Sequence, residues 1–151
     1  MIAGDPIRIF IEHISREQQE EIIIRCYEAT DEISQIVHKL KAETLVLLGV
    51  QEERVSRIKL SDVYYFEAVD GKVFVYSENQ VYEVKQKLYE LEALCRDKNC
   101  FRASKSTILN IAKIESVRPS LSGRFTALLD NGERVVISRQ YVPVLKQRLG
   151  L

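Results

Sequence analysis

From Glu43 onward the chain reads as a succession of short β-patterned runs separated by turn residues, and this succession narrows the fold more than any other feature. The runs are Leu45 to Val50, Arg54 to Lys59, Val63 to Glu67, Val73 to Ser77 and Gln80 to Val84. After Cys100 they resume near Thr107 to Asn110, Ile114 to Arg118, Phe125 to Asp130 and Arg134 to Ile137. Asp70-Gly71 and Asp130-Asn131-Gly132 supply residues that tolerate positive φ, which tight hairpin turns need, and Glu78-Asn79-Gln80 is a polar turn between apolar runs. Ser61-Asp62 marks a local turn before Val63, and Ser120 to Gly123 a polar loop.

Two helices are predicted within this part. Leu88, Leu91, Leu94 and Cys95 recur at helical spacing over Lys85 to Arg96. Arg139 to Leu149 is expected to start with Ser138 as N-cap and to stop at Gly150, with Pro143 tolerated near the first turn. Ahead of Glu43 the pattern differs. Ile7 to Ile14 and Glu21 to Tyr27 are rich in β-branched residues and predict two paired strands, while Ile33, Ile36, Val37 and Leu40 form a helical stripe capped by Thr30 or Asp31 and ending near Ala42. The expected class is mainly β, α+β overall, with a strand–strand–helix extension over residues 1–43 and a β-rich domain over 44–151.

Charge is unevenly distributed. The 151 residues hold 22 basic and 22 acidic side chains. Cys95 to Leu151 carries eleven Lys and Arg against four Asp and Glu, however, so the net zero divides into about +7 and −7 between the two parts. The basic part contains Phe101 to Asn110 and Ile137 to Tyr141, where cations alternate with small hydroxyl residues beside strands. Arginine offers a planar fork that can grip guanine O6 and N7 together, whereas lysine and serine suit phosphate.

Other classes of function find little support. His13 and His38 lie in the acidic extension outside any triad-like or metal-binding context, and Gly71, Gly123 and Gly132 are isolated turn glycines rather than a phosphate loop. Asp62, Glu67 and Asp70 cluster in sequence around strands and turns, where solvated carboxylates are the default. No catalytic residue, cofactor or metal is expected. Cys26, Cys95 and Cys100 are an odd set without zinc-type spacing, read as reduced packing thiols of a cytoplasmic protein. No apolar run approaches the roughly 20 residues of a membrane span.

Phe101-Arg102, Ser104-Lys105-Ser106, Ile108-Leu109-Asn110, Ile114, the Asp130-Asn131-Gly132 turn and Ile137-Ser138-Arg139-Gln140-Tyr141 resemble, in order and spacing, the LytTR DNA-binding domain of bacterial LytR/AlgR-like transcription regulators. Asp62 to Glu67 followed by Gly71-Lys72 is similar to the first part of that domain, so the resemblance covers about Glu52 to Leu149. It implies an elongated core of small antiparallel β-sheets with one or two helices, reading double-stranded DNA through loops that enter successive major grooves and touch the minor groove between them, with some bending of the duplex. By position, it implies Arg139 in a major groove, Lys105 beside phosphate or minor groove, and Lys72 where the family contacts bases. Many members carry a receiver domain in front; the 45 or so residues here are too few for a doubly wound domain. The extension is therefore expected to mediate homodimerisation or to bind a regulatory partner, a membrane protein of the same system among the candidates.

The expected DNA-binding set is Lys72, Arg102, Ser104, Lys105, Ser106, Arg118, Ser120, Ser122, Arg124, Arg139 and Tyr141. All of these but Arg102 have a plainer alternative. Arg139 could pair with Glu133, Lys72 could be an ordinary hairpin lysine, residues 104–106 a polar turn, residues 118–124 a solvated connection, and Tyr141 a packed ring. Asn110 is read as structural, satisfying loop backbone groups. The competing function is a protein-interaction or self-association module without specific DNA binding.

Overall fold

A computed structural model describes residues 7–151; the first six residues of the expected extension lie outside it. Helix α1 spans Asp31–Thr44, capped by Thr30, whose hydroxyl accepts the Ile33 N–H at 3.3 Å. Strands β1 (Val46–Gln51), β2 (Arg54–Lys59), β3 (Tyr65–Val69), β4 (Lys72–Tyr76) and β5 (Val81–Val84) follow, then α2 (Leu88–Cys95), β6 (Cys100–Ser104) and β7 (Thr107–Asn110). The chain closes with β8 (Ile114–Pro119), β9 (Phe125–Leu129), β10 (Arg134–Ile137) and α3 (Val142–Leu149). All strand pairs are antiparallel. They form a seven-stranded sheet in the order β2-β1-β5-β4-β3-β7-β6 and a three-stranded sheet in the order β10-β9-β8.

The seven-stranded sheet separates two cores. On β3 and β7, Phe66 and Ile108 point into one core with Val75, Leu60 and Leu91, where α1 and α2 contribute Ala42 and Leu88. Because successive strand side chains alternate faces, Leu109 on the same sheet points the other way. It packs into a second core with Ala127, Leu129, Ile137 and Leu145 from the three-stranded sheet and α3. Full burial of each such aliphatic side chain contributes about 1.5–3 kcal/mol. Gly49 in β1 is required by the first core: a Cβ there would stand 2.4 Å from Ile58 Cδ1 and 2.7 Å from Tyr82 Cβ.

The predicted strands mostly form, with shifts of a residue or two at their ends, and β6 is one the pattern did not reveal. The Asp70-Gly71 hairpin is a two-residue turn with both residues at positive φ, closed by the Val69–Lys72 pair. Three expectations need correction. Helix α2 begins at Leu88 rather than Lys85, since Lys87 is its N-cap and the Glu90 carboxylate accepts the Lys87 N–H at 3.0 Å. The last helix is two pieces: Arg139–Tyr141 is a 3-10 turn and α3 starts at Val142. Pro143 has no N–H for the Arg139 carbonyl, which takes the Val142 N–H instead, so α geometry cannot run across this step. Finally, Ile7 to Ile14 and Glu21 to Tyr27 form no ladder; these runs have no regular secondary structure and are almost wholly exposed. An isolated two-stranded ribbon has too little to bury to hold itself together.

Candidate nucleic-acid interface

Four loops meet along one side of the domain. The β6–β7 hairpin turns at Lys105-Ser106, between Ser104 and Thr107. On one flank the Ala68 N–H of β3 donates to the Ser106 carbonyl at 2.8 Å, which sets this turn beside the β3–β4 hairpin carrying Lys72. On the other flank a bulge in β6 leaves Ala103 out of the ladder with β7, and its carbonyl accepts the Ser138 N–H at 2.8 Å. Ser138 leads directly into the Arg139–Tyr141 turn. The Arg139 side chain in turn lies over Gly123 of the β8–β9 loop, where a Cβ would be 2.9 Å from Arg139 Cδ.

Arg139 and Lys105 are exposed, and among the described residues their charged groups make no ion pair or intramolecular hydrogen bond. The alternative pairing of Arg139 with Glu133 is absent from the structure. Arg118 near the end of β8 and Ser120, Ser122 and Arg124 on the β8–β9 connection are all exposed, and the connection closes with the Ser120 N–H donating to the Arg124 carbonyl at 2.9 Å. Lys72 is also exposed, 3.9 Å from the Glu83 carboxylate. Such a surface pair is weak and readily exchanged.

Other residues of the set are engaged within the chain. Arg102 donates from Nε to the Ser104 carbonyl at 2.8 Å and from its terminal nitrogens to the Lys105 carbonyl at 2.6 Å and Glu92 at 3.4 Å. Its side chain is only 19% exposed. Ser104 accepts the Ser106 N–H at 3.2 Å, so both hydroxyls line the inside of the turn. The Tyr141 ring packs against the second core. Asn110 is buried, donating to the Val63 carbonyl at 2.7 Å and accepting the Ala112 N–H at 3.0 Å, in agreement with its structural reading.

At the opposite end of these strands, Tyr64 donates to the Asp130 carboxylate; burial, then that bond, pushes its hydroxyl up to about 12. Lys113 sits 5.0 Å over the Tyr64 ring. These contacts tie the two sheets together at the end away from the exposed cations. Two features of the surface lay outside the expected set. Gln140 shares the exposed turn with Arg139 and carries an amide suited to adenine. Gly123, which looked like a turn glycine alone, is where Arg139 rests.

The family model for the LytTr DNA-binding domain matches residues 53–150. The chain belongs to the LytTR family. Residues 53–150 thus form a LytTR DNA-binding domain, over the same span as the resemblance. A solved LytTr DNA-binding domain from Bacillus cereus is 30% identical, with a TM-score of 0.66 over 70% of this chain and 97% of that one. The sensory transduction protein LytT of Enterococcus faecalis is 27% identical over 147 residues, 93% of this chain but 60% of that protein. The chain thus spans less than two thirds of that relative. An uncharacterized HTH-type transcriptional regulator of Staphylococcus aureus is 28% identical over 141 residues, 91% of this chain and 94% of its own length. The LytTR architecture here has strands between every pair of α-helices among the described residues, so no helix-turn-helix is formed. None of those helices is long and apolar enough to cross a membrane.

Proposed function

We propose that the protein reads a specific double-stranded DNA sequence with the strip formed by the β3–β4 hairpin, the Lys105-Ser106 turn, the Arg139–Tyr141 turn and the β8–β9 loop. The observation that carries this reading is the continuity of the strip through the Ala68–Ser106 and Ser138–Ala103 hydrogen bonds and the Arg139–Gly123 contact. Arg139 reads base edges in a major groove, Lys105 neutralises phosphate, and Lys72 approaches the next groove from the hairpin tip. Arg118, Ser120, Ser122 and Arg124 bind phosphate beside Arg139. Arg102, Ser104, Ser106 and Tyr141 act chiefly by shaping the loops that present these groups. Arg139 is presented by a 3-10 turn ahead of α3 rather than by an α-helix start.

The protein works in the cytoplasm as a homodimeric, response-regulator-like factor, and a membrane protein of the same system is a fitting regulatory partner for its N-terminal extension. Catalysis has no part in this reading. A self-association module without DNA binding is not favoured, because such a module has no need of unpaired cations gathered on loops.

Selection of bound duplexes from a random pool at fixed salt tests the proposal and should return one enriched motif. On that motif, Arg139→Ala should cost about 1–3 kcal/mol and blur the preference. Lys105→Ala should weaken all duplexes alike and reduce the salt slope by about 0.9. Equal losses on specific and random DNA for Arg139→Ala remove it from base readout, and a pool without enrichment overturns the reading.

A further inference from the structure

Cys95 and Cys100 stand at the two ends of a short connection, one as the last residue of α2 and the other as the first of β6. The connection folds back on itself: the Lys98 N–H donates to the Cys95 carbonyl at 3.0 Å. Arg148 of α3 pins it, donating to the Lys98 carbonyl at 2.6 Å and to the Cys100 carbonyl at 3.3 Å. Both cysteines are buried in the first core as free thiols. Their side chains meet there, the Cys100 thiol donating to the Cys95 sulfur.

A pair that only filled space would have no need of a route to solvent. These two line a cavity of about 390 Å³ whose walls include Arg96 and Val144, both exposed, so the cavity reaches the surface. Arg96, Arg102 and Arg148 border it against Glu92 as the one carboxylate, and cations favour a thiolate over a thiol. The hydrogen bond from Cys100, opposed by burial and aided by Lys98, lowers the Cys95 thiol from its ordinary value. Cys100, which donates that bond and is buried, is raised well above its own. The two thiols thus divide into a nucleophile and a resolving partner.

The same two elements touch again one helical turn away. Glu92, three residues before Cys95 in α2, takes the Arg102 guanidinium at 3.4 Å, and Arg102 lies two residues beyond Cys100 in β6. The thiol pair and the Glu92–Arg102 pair are neighbouring rungs of one contact. We propose that Cys95 and Cys100 are a peroxide-reactive dithiol whose disulfide shifts the end of α2 and releases Arg102 from Glu92, loosening the turn that presents Lys105. The Cys95 thiolate attacks a peroxide oxygen and the O–O bond breaks. The sulfur becomes a sulfenic acid, and the departing oxygen leaves as water or alcohol with the proton the thiol gave up. Cys100 then attacks that sulfur and displaces its hydroxyl as water, so two electrons pass from the thiols to the peroxide. Bonded sulfurs stand about 2.05 Å apart, well inside hydrogen-bonding distance. β6 is held by its ladder to β7 while α2 joins no ladder, so α2 yields, and a 3.4 Å bond survives little further lengthening.

The coupling to DNA rests on the proposed function and the cross-link does not, so the two are read separately on the full chain carrying Cys26→Ser at its exposed cysteine. Hydrogen peroxide should consume both remaining thiols. Trypsin cuts after Arg96 and Lys98, so the product should appear as two peptides joined by a bond that dithiothreitol breaks. Cys95→Ala and Cys100→Ala should each abolish the joined pair. Phenylarsine oxide, which bridges paired thiols, should bind one to one and block the cross-link with the core left unsubstituted. By fluorescence anisotropy the oxidised chain should bind specific and random duplexes several-fold more weakly, by the same factor, and recover in dithiothreitol. Thiols that persist in peroxide, or that end as sulfinic acids without a joined pair, overturn the dithiol. A joined pair with unaltered DNA affinity overturns its coupling to the Lys105 turn. A reduced chain that binds no duplex refutes the proposed function instead, and the peptide map still decides the dithiol.

Discussion

Arg139 lies across the α-carbon of Gly123, its Cδ and Cγ occupying the space within 2.9 and 3.1 Å of where a Cβ would stand. Two loops distant in sequence are thereby held at one spacing, and the guanidinium is aimed by the absence of a side chain on its neighbour. Gly123 also has φ of +75°, a conformation that costs any other residue.

Gly123→Ala is accordingly expected to act twice. The strained backbone should lower stability by about 1 kcal/mol, and the displaced Arg139 should lose part of its preference for the selected motif. Thermal unfolding reports the first effect and fluorescence anisotropy on specific against random duplexes the second. If Gly123 serves only the loop, stability falls while the ratio between the two duplexes stays constant.

Arg102 separates positioning from contact. Its fork joins the Ser104 and Lys105 carbonyls to Glu92 of α2, so the turn that presents Lys105 is fixed from behind. Arg102→Lys preserves charge but not the fork. Urea unfolding should show a loss of about 1–2 kcal/mol from the unmet carbonyls, with a moderate, sequence-independent fall in DNA affinity. A side chain that merely touched phosphate would accept lysine with stability unaltered.

Much of this architecture was legible in the chain, for physical reasons that also explain the misses. Asp70-Gly71 announced its hairpin because a two-residue turn demands positive φ at both positions, and the α1 stripe announced a helix because burial on one side imposes its period. β6 was hidden since Cys100, Phe101 and Ala103 are buried toward cores on both faces, which erases alternation. The N-terminal runs have strand composition, but a ladder needs a second strand that composition does not supply. The site was readable as a set of cations. That Arg102 faces inward and Arg139 outward depends on Glu92, the turn carbonyls and Gly123, partners that only folding brings near.

Acid should loosen α1 before it unfolds the domain. Hydrogen bonds from Lys41 of α1 and then Lys98 hold the Asp97 carboxyl well below the usual carboxylate range, and the Asp97 carbonyl meets His38 Nδ1 of the same helix. A carboxyl depressed in the folded state stabilises fully above its unfolded value of about 4, and that contribution is lost as pH falls toward the folded value. Asp97 is exposed, so the effect is under about 1 kcal/mol. In urea midpoints, the native chain should exceed Asp97→Asn at pH 7 and the gap should close progressively below about pH 4. A gap constant over that range would mean that the carboxylate charge contributes nothing.

The β1–β2 turn offers a gain rather than a loss. Glu52 and Glu53 form the two-residue loop closed by the Gln51–Arg54 pair, with φ of +49° and +66°. Neither is glycine or asparagine, the residues that relieve this geometry, so each carries the steric penalty of a Cβ in the left-handed region. Glu53→Gly removes that penalty at one position, offset in part by the greater freedom of glycine in the unfolded chain. The net expectation is a stabilisation of about 0.5–1 kcal/mol, read as a higher urea midpoint with an unchanged slope. Glu52→Asn added to it should contribute further, since asparagine tolerates the first position of such a turn. DNA affinity should be untouched, because this hairpin is absent from the strip running from Lys72 to Arg139. Loss of stability in Glu53→Gly would mean that the glutamate side chain contributes more at this hairpin than its strained backbone costs.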